Sequence, residues 1–154
     1  MGIKSYIGKR AKPSKGSTEQ IKVSDYMTKK LIVFRPDQSV LEVMGILIKN
    51  KISGGPVVNE NHELVGIISE GDCMKQISES RYYNHPLSNS NVEDHMEKNV
   101  ETIDGEMNVF DAADKFLKSR VRRFPILVDG KLVGQISQKD ILKAALELKG
   151  SNWK

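Results

Sequence analysis

The sequence predicts a mixed fold class, α/β (α+β), built from two similar repeats of strands and helices. The first indication is a stretch, Leu64–Asp72 (LVGIISEGD), that returns in altered form at Leu132–Asp140 (LVGQISQKD). The second is that the flanking pattern also returns, at an offset of 69 residues that becomes 68 after a shorter turn. A constant offset over two stretches of about 60 residues indicates internal duplication.

Each repeat is predicted to run strand, helix, strand, strand, helix. In the first repeat, the apolar run Leu31–Phe34 is the candidate opening strand. Ser39 and Glu42 have the spacing of a capping box, which predicts the start of a helix. The apolar face of that helix is predicted to contain Val40, Val43, Met44, Leu47 and Ile48.

A hairpin and a second helix are predicted to complete this repeat. Residues 52–58 lead into a strand, residues 59–62 form the turn, and Leu64–Ser69 is the returning strand. The Ser-x-x-Asp of Ser69 and Asp72 then opens a helix that is predicted to end near Glu79.

The second repeat follows the same plan. Asn108 stands where Ser39 stands in the first repeat and begins a helix, and Asp129-Gly130 is a strong hairpin signal. The apolar face of this helix is predicted to contain Val109, Ala112, Ala113, Phe116 and Leu117.

Neither repeat is large enough to bury much core by itself. The repeats are assigned to residues 21–80 and 92–149, with a polar, proline-containing linker at 81–91. We expect them to pack sheet to sheet about a pseudo-two-fold axis, which creates two equivalent clefts. Each cleft would be lined by the Ser-x-x-Asp of one repeat and the first strand of the other.

The net charge of +4 belongs to the N-terminal end of the chain. The first 22 residues hold six Lys or Arg against one Glu, so the remainder is close to neutral. Residues 1–20 have no helical or strand period and are predicted to form a flexible basic arm. Such an arm is either a solvated tail or an electrostatic contact for nucleic acid or an acidic partner.

Composition points to a cytoplasmic globular protein. The apolar runs are far shorter than the ~20 residues that cross a bilayer, so no membrane partner is expected. The single cysteine, Cys73, permits no intrachain disulfide and fits a reducing compartment.

His62, His85 and His95 have no partner at metal-ligand spacing, so no metal site is predicted. Trp153, near the end of the chain, has no assigned role.

The order of these motifs resembles the cystathionine-β-synthase (CBS) domain. In the first repeat the resemblance lies in Met27-Thr28, Arg35-Pro36-Asp37, Gly55-Pro56-Val57-Val58 and Leu64–Asp72. In the second it lies in Met96, Phe124-Pro125-Ile126-Leu127 and Leu132–Asp140. It covers about residues 22–148 and implies a tandem CBS pair, or Bateman module. The family implies regulatory binding of AMP, ADP, ATP or S-adenosylmethionine and pairing of modules into a disc-like homodimer.

The resemblance implies that the aspartate of each Ser-x-x-Asp accepts hydrogen bonds from ribose hydroxyls. An ionised carboxylate suits this role because it only accepts hydrogen bonds. The serine, at a helix N-terminus, can help to hold a phosphate. The alternative is a simple capping box, and the two interpretations do not exclude each other.

The two clefts are predicted to differ in their phosphate chemistry. The better anion site contains Arg122, Arg123, Ser137 and Asp140, together with Ile32, Ile52 and Ser53 of the first repeat. The weaker cleft contains Ser69, Asp72, Glu101 and Val121. Glu101 stands where Ile32 stands in the first repeat and would repel phosphate if it pointed inward. The alternative for the two arginines is a solvated pair at a helix end.

These features predict a stand-alone CBS-pair protein that binds an adenine nucleotide and signals to an unknown effector protein. No catalytic constellation or phosphate loop is present, so the sequence predicts a non-enzyme with no obligatory cofactor. The choice among AMP, ADP and ATP, and the use of magnesium with a triphosphate, stay open. The alternatives are a nucleic-acid or protein interaction module that uses the basic arm, with vestigial clefts, and a purely structural dimer.

Overall fold

A computed structural model describes residues 21–83 and 89–151, so the basic arm, His85 and Trp153 lie outside the described residues. The four α-helices of the described chain are α1 (Val40–Asn50), α2 (Glu70–Tyr83), α3 (Val109–Lys118) and α4 (Gln138–Ser151). Its strands are β1 (Gly54–Val58), β2 (Leu64–Ser69), β3 (Ile103–Asp104), β4 (Arg123–Val128) and β5 (Lys131–Ser137). Strands β1 and β2 form one sheet, and β3, β4 and β5 form a second in that order. This mixed architecture confirms the predicted fold class.

The described residues form two compact units, which we name by their helices. The α1–α2 unit contains residues 30–83, 89–102 and 127–133. The α3–α4 unit contains residues 21–29, 103–126 and 134–151. Each unit therefore holds most of one sequence repeat and the opening segment of the other, and the α1–α2 unit also includes residues 127–133 of the second repeat.

The opening segment of the first repeat is anchored in the α3–α4 unit. A short 3-10 helix, Val23–Asp25, begins where the Val23 amide donates to the Met107 carbonyl over 2.9 Å. Thr28 then pairs with Gln135 of β5 through two backbone hydrogen bonds of 2.8 and 3.0 Å. Val23 is completely buried, so this segment contributes to the core of the unit.

The opening segment of the second repeat is anchored in the α1–α2 unit in the same way. The Val92 amide donates to the Gln38 carbonyl over 2.9 Å, and Val92 is completely buried. Glu97 pairs with Ile67 of β2 through backbone hydrogen bonds of 2.8 and 2.9 Å. Val92 belongs to a core that also contains Phe34, Val40, Val43, Leu47, Val57, Ile68 and Cys73.

The predicted opening strand Leu31–Phe34 is reduced to a single bridging residue. Only Phe34 pairs with β1, through 2.9 Å hydrogen bonds from its amide to the Pro56 carbonyl and from the Val58 amide to its own carbonyl. Leu31, Ile32 and Val33, which precede it, form no bridge, and the chain turns at Pro36 after it. The prediction of a full strand was wrong, because the apolar run reflects the burial of Phe34 rather than an extended ladder.

Both helix starts follow the sequence prediction. The Ser39 hydroxyl oxygen accepts from the Glu42 amide over 3.1 Å, and the Asn108 side-chain oxygen accepts from the Asp111 amide over 2.8 Å. Helix α2 continues to Tyr83, so residues 81–83 of the predicted linker are helical.

One residue on each predicted apolar helix face is not buried. Val40, Val43 and Leu47 of α1 are buried, and so are Val109, Ala112 and Phe116 of α3. Ile48 is 78% exposed and Leu117 is 85% exposed, although both fit the apolar period. An apolar period shows which residues share a helix face. It does not show how much of that face a neighbouring element covers.

Replacing Tyr26 with phenylalanine is expected to remove a small, pH-dependent part of the stability. The Tyr26 hydroxyl donates to Glu147 over 2.7 Å, which raises the pKa of Tyr26 to about 12. Because the folded-state pKa lies above the unfolded value, the contribution is complete below about pH 10 and is lost as the pH rises through 12. We expect a loss of about 0.5 kcal/mol at pH 7, since the pair is exposed. Denaturant unfolding of both proteins from pH 7 to 12 should show the difference shrinking at the alkaline end; a constant difference would contradict it.

Candidate functional site

The junction between β2 and α2 holds the first Ser-x-x-Asp in a closed hydrogen-bonded loop. Oδ2 of Asp72 accepts from the Ser69 amide over 2.9 Å and from the Ser69 hydroxyl over 3.1 Å. The Asp72 amide donates back to the Ser69 Oγ over 3.4 Å. Both residues are half-buried.

The junction between β5 and α4 repeats this geometry. Oδ2 of Asp140 accepts from the Ser137 amide over 2.9 Å and from the Ser137 hydroxyl over 3.1 Å. The Asp140 amide donates to the Ser137 Oγ over 3.3 Å. The two junctions thus agree bond for bond, and the internal duplication extends to the local hydrogen bonding.

The capping role leaves half of each carboxylate available. Both hydrogen bonds that each carboxylate accepts fall on Oδ2, and within the described parts of the chain Oδ1 of Asp72 and of Asp140 has no hydrogen-bond partner. A carboxylate oxygen that is held in place and unpaired can accept hydroxyl donors such as those of a ribose. The capping and ligand-binding interpretations are therefore compatible at both junctions.

In the α1–α2 unit, the loop before β1 lies against the first junction. The Glu70 amide donates to the Ser53 carbonyl over 2.9 Å, and Gly54 pairs with Ser69 across the sheet. Ile52 is half-buried against the core, and Ile32 is 36% exposed. Ser53 and Ser69 are thus brought together in one unit. That Ile32, Ile52 and Ser53 serve the same site as Asp140 stays a prediction.

In the α3–α4 unit, the two arginines stand at the start of β4, which neighbours β5. Arg123 corresponds to Gly54 and Ser137 to Ser69, and Gly54 pairs with Ser69 in the first sheet, so we expect Arg123 to lie beside the second junction. Arg122 and Arg123 are exposed, and neither forms an ion pair with another described residue. In that position, two free guanidinium groups could hold the phosphates of a ligand whose sugar binds Asp140.

The α1–α2 unit cannot carry a cation at the equivalent position without rearrangement. A Cβ added to Gly54 would lie 2.7 Å from the Ile68 carbonyl oxygen and 3.3 Å from the Ser69 Cβ. Glu101 and Val121, which were predicted for the weaker cleft, are both exposed. The two junctions therefore share an acceptor geometry, and the residue of the second repeat that corresponds to Gly54 is the cation Arg123.

Cys73 is a packed core residue. Its side chain is 4% exposed, and burial raises the pKa of its thiol, with Asp72 and Glu70 adding to the shift. A neutral, buried thiol is a poor nucleophile. Among residues 21–83 and 89–151, no three His, Cys, Asp or Glu side chains form a cluster that could hold a metal ion.

The sequence did not predict an apolar groove in the α1–α2 unit. Its volume is about 670 Å³, and its lining residues are Met44, Leu47, Ile48, Lys51, Ile52, Ser53, Glu70, Cys73, Met74 and Ile77. The available signal was the presence of Met74 and Ile77 on α2, outside any predicted core face. None of the helices in the described chain is long and apolar enough to span a membrane.

Comparison with known proteins gives one family. The CBS domain model matches residues 23–79 and 92–147. The CBS domain-containing chloroplastic protein CBSX1 of Arabidopsis thaliana is 34% identical over 155 residues, covering 84% of this chain and 66% of that protein. This chain therefore spans slightly less than two thirds of the length of CBSX1.

Solved structures with the same fold contain adenosine ligands. The crystal structure of Arabidopsis thaliana CBSX2 in complex with AMP has a TM-score of 0.71 and 29% identity, covering 84% of this chain and 98% of that one. The CBS domain pair of protein MJ0100, in complex with 5′-methylthioadenosine and S-adenosyl-L-methionine, has a TM-score of 0.66 and 28% identity. That match covers 82% of this chain and 96% of the other.

Proposed function

Because this chain belongs to the CBS-domain family and carries two CBS domains, we propose that it is a regulatory protein that binds an adenosine-containing nucleotide. The observation that carries the proposal is the twice-repeated carboxylate with one oxygen fixed and one unpaired. The AMP and S-adenosyl-L-methionine complexes of similar CBS pairs support this ligand class. We propose that the two CBS domains of this chain act by binding and not by catalysis.

The charge beside the second junction favours a phosphate-bearing ligand. Arg122 and Arg123 attract phosphate and repel the positive sulfonium of S-adenosylmethionine. We therefore propose that AMP, ADP or ATP binds at the α3–α4 unit through Asp140, Ser137 and the two arginines. If the ligand is ATP, magnesium would accompany its phosphates. The first junction, with Ser69 and Asp72, would bind anionic ligands more weakly.

Asp140→Ala is expected to weaken AMP and ATP binding by about 10- to 100-fold, the cost of losing hydrogen bonds to a charged acceptor. Arg123→Ala is expected to weaken ATP binding more than AMP binding, because the longer phosphate chain carries more charge. Isothermal titration calorimetry of each variant with both nucleotides measures these effects. Asp140→Asn, which keeps the side-chain shape, is tested beside Asp140→Ala, and circular dichroism is used to check that both variants fold.

Asp72→Ala is the matched control because its junction has the same hydrogen bonds and no arginines. We expect it to change affinity for either nucleotide less than Asp140→Ala does. Unchanged affinity in both Asp140 variants would refute the assignment of this site.

Regulation requires the nucleotide to bind one conformation more tightly than another, and an effector protein to recognise the difference. We propose such an effector, homodimerisation and a cytoplasmic location as parts of the same hypothesis. Each unit exposes large apolar side chains on its helices, which supports association with a further chain.

The alternative, nucleic-acid binding by the basic arm, concerns residues 1–20, which lie outside the described residues, and it stays a prediction. Salt-dependent retention on DNA or RNA that is lost when these residues are deleted would favour it.

A further inference from the structure

A buried polar side chain holds the opening segment of the second repeat, residues 90–97, against the α1–α2 unit. Among the residues whose burial the structure describes, Gln76 on α2 is the only buried polar one, with 4% exposure. Its Nε2 donates to the Ser90 hydroxyl oxygen over 2.7 Å, whereas its Oε1 has no hydrogen-bond partner. This acceptor disfavours the docked segment, because Oε1 regains a donor from water only when the segment opens.

The equivalent positions in the α3–α4 unit are both apolar. Ser90 corresponds to Ile21, and the backbone carbonyl of each accepts from the first amide of a helix, α1 over 2.8 Å and α3 over 3.0 Å. Gln76 corresponds to Ala144, which is completely buried. The same backbone geometry is therefore combined with a polar pair in one unit and an apolar pair in the other.

The opening segment of the first repeat, residues 21–28, has two further side-chain contacts. Lys22 forms an ion pair of 2.7 Å with Glu106, and the Tyr26 hydroxyl donates to Glu147 over 2.7 Å. Each exposed contact of this kind contributes little by itself, but both favour docking of this segment. Within the described chain, the side chains at the corresponding positions of the α1–α2 unit form neither an ion pair nor a hydrogen bond with each other: Asn91 with Asp37, and His95 with Glu79.

Residues 90–97 also pair with β2 close to the first Ser-x-x-Asp. Ile67 and Glu97 exchange backbone hydrogen bonds of 2.8 and 2.9 Å, two residues before Ser69. Ser69 in turn donates through its amide and its hydroxyl to Asp72. Opening of the segment would therefore remove a strand partner beside the residue that fixes this carboxylate.

We propose that residues 90–97 are a releasable strap, which opens from the α1–α2 unit while residues 21–28 stay docked, and whose opening loosens the junction of Ser69 and Asp72. Proteins open locally at the elements with the weakest buried contacts, well below the free energy of global unfolding. A ligand that needs Asp72 in place binds the closed form more tightly and so closes the strap. Only this last step rests on the proposed function, since opening itself is a property of the free chain.

Hydrogen exchange of single amides, followed by NMR spectroscopy without nucleotide, tests the difference between the two segments. We expect protection factors about 10-fold lower on the strap side, the scale set by one buried unsatisfied acceptor. Equal protection on the two sides would overturn the inference. The amides compared have equivalent hydrogen bonds in the two units: Val92, Glu97 and Ile67 against Val23, Thr28 and Gln135.

Exchanging the buried pairs between the units tests the cause. Gln76→Ala/Ser90→Ile gives the strap the apolar pair of the other unit, and we expect strap protection to rise about 10-fold. Protection of the Ser69 amide should rise with it. The matched control, Ala144→Gln/Ile21→Ser, should lower protection in residues 21–28 and leave the strap unchanged.

Gln76→Met, which keeps the length of the side chain, is measured beside the double variant and decides the test if that variant does not fold. Unchanged strap protection in a folded variant would overturn the role of Gln76. Higher strap protection with an unchanged Ser69 amide would overturn the link to the junction. Because every exchange measurement uses the free chain, failure of nucleotide binding would refute the proposed function without altering these outcomes.

Discussion

Replacing Gly134 with alanine is expected to lower the free energy of unfolding by about 3 kcal/mol, the upper range for overpacking a core. A Cβ at this position would lie 2.5 Å from the Met27 sulfur and 2.9 Å from the Thr28 carbonyl oxygen. That carbonyl cannot move freely because it accepts the Gln135 amide over 3.0 Å. The substitution should therefore detach the opening segment of the chain from β5. Urea unfolding at pH 7 measures the effect.

The matched control is Gly45→Ala on α1. A Cβ there would meet no atom within 4 Å, and alanine has the higher helix propensity, so stability should rise by about 0.5 to 1 kcal/mol. Gly66→Ala tests the duplicate site, where a Cβ would lie 2.6 Å from the Met96 sulfur and 2.9 Å from the Glu97 carbonyl oxygen. If Gly134→Ala behaved like Gly45→Ala, the contact between β5 and Thr28 would be refuted.

A fragment that ends at the predicted linker is expected not to fold. Residues 21–91 contain α1, α2, β1 and β2 but lack Val92 and Glu97. Loss of Val92 from the core removes about 2 kcal/mol of apolar burial, and the strand pairing of Ile67 with Glu97 is lost as well. A domain of this size has only a few kcal/mol of net stability, so we expect no cooperative unfolding transition.

The comparison fragment is residues 30–102. It includes residues 92–102, which pack in the α1–α2 unit, and omits residues 21–29, which belong to the α3–α4 unit. We expect it to show more helical circular dichroism and a broader spread of amide signals in NMR spectra than residues 21–91. If residues 21–91 unfolded as cooperatively as residues 30–102, the conclusion that the α1–α2 unit needs the opening segment of the second repeat would be wrong.

The features that the sequence predicted correctly depend on local chemistry. Ser39 and Asn108 cap their helices because a side-chain oxygen three residues before a free amide satisfies it in almost any context. The two Ser-x-x-Asp junctions follow for the same reason, since all their hydrogen bonds lie within four residues. The constant offset between the repeats is visible in the sequence, and it predicted the fold class.

The features that the sequence missed depend on distant residues. Ile48 and Leu117 fit the helical period but are exposed, because the period does not show where the covering neighbour ends. The run Leu31–Phe34 had the composition of a strand, yet only Phe34 found a partner. The sequence showed two arginines, Arg122 and Arg123, where the first repeat has none. Only the structure showed that close packing requires a glycine at position 54.

The sequence by itself determined the duplication, the helix starts and the two fixed carboxylates, because each is set by residues a few positions apart. Only the tertiary structure showed that the opening segment of each repeat packs in the unit formed by the other repeat. Gln135 with Thr28, and Ile67 with Glu97, pair across separations that no local pattern encodes. Burial of Val23 and Val92 favours those pairings, and burial depends on the whole fold rather than on the sequence around either residue.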